Sequence, residues 1–287
     1  MRKCVIKTIN LNKKVRRKIF KKIFFLGLIG VFFVSILLGV KREVNLAWLR
    51  NSYFAHRGLF NDELPENSIK AFENAIKNGF AIELDIQFTK DKKVVVFHDY
   101  NLERLTNNKE NIENLTYEEI RKLNLLDTKE KIPLLEEVLQ FIDGKVPLLI
   151  EIKNCNDIMK LGEETAKILK DYNGKYAIQS FDSCVLKWYR KNNKDVLVGQ
   201  LMGSYKGIEE FKHCKEMIID FRKFFFHYKL NFLSIDIYDI KNLSVKIFRF
   251  FRIPILSWTI RSNDELKDIK NFADGFIFDS FIPQKDN

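Results

Sequence analysis

Two of the four histidines in this chain of 287 residues end short apolar runs that are typical of strands. His56 ends the run Tyr53–His56 and is followed by Arg57, while His98 ends the run Val94–His98. An imidazole titrates near neutral pH, so a histidine at a strand end is well placed for general acid or base catalysis. The pattern therefore predicts a proton-transfer site, with Arg57 available to hold a phosphate.

Acidic side chains lie on two further strand candidates. Glu83 and Asp85 are two residues apart on Ala81–Phe88, so they face the same side of that strand. Two carboxylates on one face repel each other unless a cation lies between them. Glu151, on the candidate Pro147–Ile152, can supply a third oxygen ligand. Ligands that are all oxygen favour Ca²⁺ or Mg²⁺ over zinc.

Lys153 adds a cation beside this group, because it shares a strand face with Glu151. A metal ion together with Arg57 and Lys153 can neutralise phosphate oxygens in a transition state. His56 and His98 can then serve as the base for the attacking group and the acid for the leaving group. Each residue alone fits an ordinary surface role, but their joint occurrence at strand ends predicts a phosphodiester site.

Short apolar runs alternate with helical patterns along residues 51–287. The helical patterns are Ser68–Asn78, Leu134–Ile142 and Lys241–Phe251. The predicted strands are Tyr53–His56, Ala81–Phe88, Val94–His98, Pro147–Ile152, Tyr176–Gln179, Val196–Met202, Phe232–Ile237, Ile255–Ile260 and Gly275–Asp279.

Repeated strand–helix units over about 230 residues predict an α/β fold, a (β/α)8 TIM barrel. Nine strands are one too many for such a barrel. Only five residues separate Ala81–Phe88 from Val94–His98, too few for a crossover helix, so these two strands are expected to form a hairpin with one arm outside the barrel. A hairpin centred on Thr89–Lys92 would place Glu83 opposite His98. A doubly wound open sheet is the alternative, although the turn after the first strand lacks its glycine-rich phosphate motif.

The first fifty residues predict a membrane anchor. Residues 1–22 carry ten Lys or Arg and form a basic cytoplasmic tail, and residues 23–40 contain no charged residue. Eighteen helical residues span roughly 27 Å, close to the thickness of the hydrocarbon core. Residues 41–50 are assigned as a juxtamembrane linker and residues 51–287 as the barrel. The basic asymmetry favours a single-pass protein at the cell membrane with an external barrel, and a cleaved signal peptide is the alternative.

The charge distribution argues against a nucleic-acid partner. The tail and the linker together carry a charge of +12, whereas the formal net charge of the whole chain is +11. Residues 51–287 therefore carry a net charge of −1. Nucleic-acid binding needs a basic surface on the folded domain. Four cysteines without C-x-x-C spacing give no indication of a zinc site.

Ordered segments of the sequence resemble the glycerophosphodiester phosphodiesterase family from about Tyr53 to Pro283. The segments that carry this resemblance are "AHRG", "PENSIKAFENAIKNG", "IELDIQFTKDKKVVVFHDYNLERLTN", "IPLLEEVL", "LLIEIKN", "QSFD", "ILSWTI" and "DGFIFDSFIP". The resemblance implies a (β/α)8 barrel that hydrolyses glycerophosphodiesters to an alcohol and glycerol 3-phosphate with the help of Ca²⁺ or Mg²⁺.

The resemblance also implies roles for individual residues. It implies a catalytic pair, His56 and His98, and two phosphate-binding residues, Arg57 and Lys153. It implies three metal ligands, which are Glu83, Asp85 and Glu151. Trp258 of "SWTI" is expected to line the glycerol pocket, and Glu66 of "PEN" matches a supporting acid whose role stays open.

Two alternative functions stay open. One is a lysophospholipase D-like phosphodiesterase that acts on lipid substrates, which a membrane anchor would suit. The other is a membrane-bound barrel that binds its ligand without turnover, although the complete set of histidines, acids and lysine argues against it. Because the segment Leu102–Pro133 is short where relatives often carry an insertion, we expect an open cleft.

Overall fold

A computed structural model describes Gly27, Gly30 and residues 46–203, 230–250 and 252–284 of the chain. The strands are β1 Tyr53–Ala55, β2 Ala81–Phe88, β3 Val94–Val96, β4 Leu148–Ile152, β5 Tyr176–Ser180, β6 Leu197–Met202, β7 Phe232–Asp236, β8 Ile255–Ile260 and β9 Gly275–Phe278. The α-helices are α1 Ile69–Lys77, α2 Glu103–Thr106, α3 Tyr117–Ile120, α4 Leu135–Ile142, α5 Ile158–Ile168, α6 Ser183–Asn192, α7 Leu243–Phe250 and α8 Asn263–Ile269. Two 3₁₀ turns cover Ile112–Asn114 and Leu169–Asp171.

Eight of the described strands are parallel neighbours in a closed ring. β1 pairs with both β9 and β2, and the sheet continues through β4 to β8 in sequence order back to β9. β3 pairs antiparallel with β2 and lies outside the ring. The predicted barrel and its extra hairpin arm are therefore confirmed, and the open sheet is wrong because the ring closes between β1 and β2.

The hairpin of β2 and β3 has a different register from the predicted one. Ile86 pairs with Val96, and the N–H of Phe97 donates to the carbonyl of Asp85 at 3.0 Å, so position 84 rather than Glu83 aligns with His98. The prediction was wrong by one residue because the turn is longer than assumed. It closes between Thr89 and Lys93, with Lys92 in the left-handed region at φ +59°.

Apolar side chains fill both sides of the barrel wall. Inside, one residue from each strand of the ring packs in a cluster: Phe54, Ala81, Leu149, Ala177, Leu197, Phe232, Leu256 and Ile277. Outside, the helices bury their apolar faces against the sheet. α1 shows how the sequence does this, because the side chain of Ser68 accepts a hydrogen bond from the N–H of Ala71, and Ala71, Phe72 and Ala75 face inward.

Residues 46–50, which are part of the predicted linker 41–50, pack onto the amino ends of the strands. Leu49 is fully buried in the interior cluster, and Trp48 packs edge-on against Phe54 with ring centroids 6.4 Å apart. A Cβ on Gly275 would lie 2.6 Å from the carbonyl oxygen of Leu49, so glycine is required there. These residues form the floor of the barrel.

The segment between β3 and α4 folds as a small layer with its own apolar core. α2, α3 and the 3₁₀ turn Ile112–Asn114 lie in this segment. Their buried side chains cluster with those of β3 and its end: Val95, Phe97, Leu102, Leu105, Ile112, Tyr117, Ile120, Leu125 and Ile132. This packing fixes the segment beside the carboxyl end of β2.

Within the part of the chain that the structure describes, no helix has the length and apolarity needed to cross a membrane. The predicted span 23–40 lies outside the described residues, apart from Gly27 and Gly30.

Candidate active site

The predicted site residues converge at the carboxyl ends of the first strands of the ring. His56 and Arg57 directly follow β1, Glu83 and Asp85 lie on β2, and Glu151 lies on β4 with Lys153 just after it. Parallel strands end at the same edge of a barrel, so six residues from three separate segments reach one place.

Three carboxylates form the centre of this site. Each of Glu83, Asp85 and Glu151 is buried and offers an oxygen within 4.8 Å of an oxygen of the others. Burial and the negative charges of Asp85 and Glu151 raise the pKa of Glu83 well above its usual value. A proton or a cation must therefore balance the cluster.

Unpaired buried oxygens show that a cation fits here. Among the described residues, Oδ1 of Asp85 and Oε1 of Gln179 are buried without a hydrogen-bond donor. The amide nitrogen of Gln179 lies 3.4 Å from Oε1 of Glu83, so Gln179 borders the carboxylates. Hard divalent cations such as Ca²⁺ and Mg²⁺ bind carboxylate and amide oxygens of this kind.

Asp85 is held in its ionised form by its neighbours. Although burial opposes ionisation, the neighbouring His98, Lys153 and Arg57 lower the pKa of Asp85 below its usual range. The amide nitrogen of Asn67 also donates to Oδ2 of Asp85 at 3.0 Å. The carboxylate is thus charged and fixed in direction.

Lys153 lies against two of the carboxylates. Its ammonium nitrogen is 2.9 Å from Oε1 of Glu151 and 3.6 Å from Oδ1 of Asp85. Burial opposes its charge, but Glu151 and Asp85 raise the pKa of Lys153 above its usual value. A buried ammonium beside the cluster can contact an anion that binds there.

A left-handed turn aims Arg57 at the cluster. Arg57 has φ +58°, and its N–H donates to Oε2 of Glu83 at 3.1 Å. Gly58 follows at φ +82°, where a Cβ would lie 2.9 Å from the Cβ of Ala71. This explains the sequence "HRG", since only glycine can follow the arginine so close to α1. The guanidinium then donates to Oε1 of Glu66 at 2.7 Å and lies 3.7 Å from Asp85.

His56 is oriented by an aspartate from the other side of the ring. Its Nδ1 lies 2.9 Å from Oδ2 of Asp279, which directly follows β9. Burial and the nearby Arg57 lower the pKa of His56 to about 4, although the hydrogen bond that His56 donates to Asp279 opposes this shift. The imidazole is therefore neutral near pH 7, and its Nδ1–H donates to the carboxylate of Asp279.

His98 has a comparable partner in the next residue. Its Nδ1 lies 2.6 Å from Oδ1 of Asp99. The loop that carries both residues is held by Gln87, whose amide nitrogen lies 2.9 Å from the carbonyl oxygens of Phe97, His98 and Asp99. Each histidine thus has one nitrogen fixed by a carboxylate.

An arginine from α2 connects two of these groups. Arg104 donates to both oxygens of Glu66, at 2.7 and 2.8 Å, and its Nε donates to Oδ2 of Asp99 at 2.6 Å. Burial alone would raise the pKa of Glu66, but the hydrogen bonds from Arg104 and Arg57 hold it below its usual range. Glu66, whose role the sequence left open, therefore binds two arginines.

Trp258 lies on β8. Its indole N–H donates to the backbone carbonyl of Ser234 at 3.1 Å, and its ring packs edge-on against Phe181. No hydrogen bond or ion pair described in the structure links it to the carboxylate cluster. Its predicted place in a glycerol pocket stays a prediction.

Several residues of the site were missed at the level of the sequence. Asp279 ends a predicted strand, which is a weak signal on its own. Arg104 and Gln179 carry no spacing signal, because their partners come from segments distant along the chain. Asn67 has φ +55°, a conformation for which asparagine is favoured, but nothing in the sequence connects it with Asp85.

Cationic groups placed against a carboxylate cluster suit the cleavage of a phosphate diester, because these cations, and a metal ion that the carboxylates could hold, would balance the charge of the phosphoryl oxygens. The fold and the site together place the chain in the class of barrel-shaped phosphoric diester hydrolases.

Similarity to known proteins narrows this class to one family. The sequence profile of the glycerophosphoryl diester phosphodiesterase family matches residues 56–281, and the chain belongs to this family of hydrolases. A glycerophosphodiester phosphodiesterase of Caldanaerobacter subterraneus subsp. tengcongensis is 32% identical over 244 residues, which cover 80% of this chain and 95% of the relative. A human lysophospholipase D is 33% identical over 168 residues, 52% of each chain.

The fold is shared with solved structures of the family. An Oleispira antarctica phosphodiesterase, solved in complex with its product sn-glycerol-3-phosphate, superposes with a TM-score of 0.65 at 20% identity. The match covers 80% of this chain and 92% of the other.

Proposed function

We propose that the protein hydrolyses glycerophosphodiesters to an alcohol and glycerol 3-phosphate with the help of Ca²⁺ or Mg²⁺. The observation that carries this proposal is the buried cluster of Glu83, Asp85 and Glu151 with Arg57 and Lys153 against it. Family membership and the product bound to the Oleispira relative support the substrate class.

The three carboxylates would hold the cation, which when bound supplies Lewis-acid stabilisation of the charged phosphoryl oxygens. Arg57 and Lys153 bind the remaining phosphate oxygens and keep the phosphorus facing the histidines. Trp258 is proposed to contact the glycerol carbons.

The two histidines are proposed to divide the proton transfers. His56 is neutral near pH 7, so it accepts the proton of the attacking oxygen at Nε2 while Asp279 stabilises the imidazolium. His98, bound to Asp99 through Nδ1, delivers a proton to the leaving alkoxide. Each transfer contributes about 10²–10⁴-fold to turnover.

The test is the release of glycerol 3-phosphate from glycerophosphocholine, glycerophosphoethanolamine and glycerophosphoglycerol, with chelator and after readdition of Ca²⁺ or Mg²⁺. His56→Ala and His98→Ala should each lower kcat about 10²-fold or more while thermal unfolding stays unchanged. Wild-type binding of these diesters without any release would instead identify a non-catalytic binding barrel.

A lysophospholipase D-like activity is the second candidate, favoured by the identity to a human lysophospholipase D. The same assay with lysophosphatidylcholine in mixed micelles decides between them. If kcat/KM for the lipid is higher than for every soluble diester, the lysophospholipase D-like activity replaces the leading proposal.

We further propose that residues 23–40 anchor the protein in the cell membrane, with residues 1–22 in the cytoplasm and the barrel outside. The uncharged run and the basic residues that precede it support this topology. Protease added to intact cells should digest the barrel. A protected barrel would reverse the topology, and a soluble protein without residues 1–40 would indicate a cleaved signal.

A further inference from the structure

Arg104 is the central cation of a chain of hydrogen-bonded side chains. The chain runs from Arg57 through Glu66, Arg104 and Asp99 to His98, and every link is 2.8 Å or shorter between heavy atoms. All three guanidinium nitrogens of Arg104 donate within it. Two ends of the proposed machinery, the phosphate-binding Arg57 and the proton-transferring His98, are thus joined through one side chain.

The geometry of Arg104 is more specific than that of a surface ion pair. Two parallel N–H donors meet both oxygens of Glu66, which fixes the plane of that carboxylate, and Nε fixes Asp99 at the same time. Glu66 is buried, whereas Arg104 is about half exposed. Only a planar fork with a third donor can hold both acids in this way, and a lysine cannot.

Loss of Arg104 would act on both ends of the chain. Glu66 and Asp99 would lose the cation that lies between them. Glu66 would then no longer hold Arg57 in a fixed position, and Asp99 would no longer hold the imidazole of His98. A displacement of about 1 Å in a catalytic group can cost about a hundredfold in rate.

We propose that Arg104 is a positioning residue that holds the phosphate-binding Arg57 and the proton-donating His98 in a fixed relative orientation. The small layer between β3 and α4 is therefore part of the catalytic apparatus. This inference rests on the proposed function, because it assigns Arg104 a role in that reaction through His98 and Arg57.

The experiment compares kcat and KM of full-length wild type, Arg104→Gln and Arg104→Lys for glycerophosphocholine. Arg104→Gln should lower kcat about tenfold to a hundredfold and raise KM, since both ends of the chain move. The kcat and KM of Arg104→Lys should be close to those of Arg104→Gln, because an ammonium group lacks the planar set of donors that holds both Glu66 and Asp99. Arg121→Gln, an exposed arginine of the same layer, is the matched control and should leave both constants within about twofold.

A double-mutant cycle separates positioning from a general loss of stability. If Arg104 acts through Glu66, the variant with both Arg104→Gln and Glu66→Gln should have a kcat close to that of the more impaired single variant. Additive losses in this cycle would overturn the proposal. So would an active Arg104→Gln with wild-type kcat and KM, or an Arg104→Lys that restores both constants fully.

The controls keep this inference separate from the proposed function. A wild type that releases no glycerol 3-phosphate from any diester overturns the proposed function. An active wild type with an unaffected Arg104→Gln overturns only the role of Arg104. The unfolding temperature of each variant is measured as well. A lower kcat at an assay temperature far below the unfolding temperature of the variant supports a positioning role.

Discussion

Asp279→Asn is the substitution that most directly tests the proposed role of His56. The two side chains meet across the closure of the barrel, with Nδ1 and Oδ2 2.9 Å apart. Asparagine keeps the shape of the side chain but removes its charge. It also offers an N–H in place of one acceptor oxygen, so the tautomer of His56 with its proton on Nδ1 is no longer enforced.

The expected size of the effect follows from burial. The side chains of His56 and Asp279 are only 15% and 8% exposed, so solvent screens their interaction little. A hydrogen bond with a charged partner contributes about 1.5–3 kcal/mol. The bond is at full strength when His56 has accepted its proton, and each 1.36 kcal/mol of transition-state stabilisation is worth about tenfold in rate. We therefore expect kcat to fall about tenfold to 150-fold.

The pH dependence gives a second readout with a definite sign. Burial and Arg57 lower the pKa of His56 to about 4, and Asp279 opposes this shift. Removal of the carboxylate should lower that pKa further. Since the proposed base must be neutral, the acidic limb of kcat/KM should move to lower pH in Asp279→Asn.

The assay is steady-state release of glycerol 3-phosphate from pH 3 to 9, with Asp264→Asn as the matched control. The side chain of Asp264 is 95% exposed on α8, so this change should leave kcat and the pH profile unchanged. A kcat of Asp279→Asn within threefold of wild type, or an acidic limb that moves to higher pH, would refute the reasoning about His56.

Three further changes test the metal site, the floor and the ion network. Glu151→Gln removes one ligand charge, so calorimetric titration should show weaker binding of Ca²⁺ or Mg²⁺ with an intact fold, and equal affinity would remove Glu151 from the site. Gly275→Ala places a Cβ 2.6 Å from the carbonyl of Leu49 and should lower the free energy of unfolding by about 1–3 kcal/mol in denaturant titrations, whereas an unchanged midpoint would contradict the packed floor. Glu66→Gln should unfold at a lower temperature than wild type above pH 4.5, and the difference in unfolding temperature should shrink as the pH falls. The reason is that the pKa of Glu66 is lowered in the folded state, so the stability that its carboxylate contributes is lost on protonation. A difference that widens in acid would contradict this prediction.

The barrel and the centre of the site could be predicted from the sequence because they follow from local periodicity. Alternation along β2 places Glu83 and Asp85 on one face, and the five residues after Phe88 are too few for a helix. The one-residue error in the hairpin came from the turn, where Lys92 adopts a left-handed conformation that a lysine does not indicate.

The groups that orient the site could not be predicted in the same way. Asp279 reaches His56 only because the barrel closes, and the two residues are 223 positions apart. Arg104 lies 38 positions from Glu66, in a different element. Such contacts depend on how the elements pack, and no periodicity in a single segment encodes them.

The floor formed by residues 46–50 has a consequence for the direction in which the barrel would face. The chain enters the barrel at the end opposite the catalytic mouth. With residues 23–40 as an anchor, the five residues 41–45 reach at most about 20 Å, so the floor would face the bilayer and the mouth would open away from it. If the proposed anchor holds, an enzyme tethered in this orientation would draw diffusible diesters from the water phase in preference to phospholipids of the bilayer that holds it.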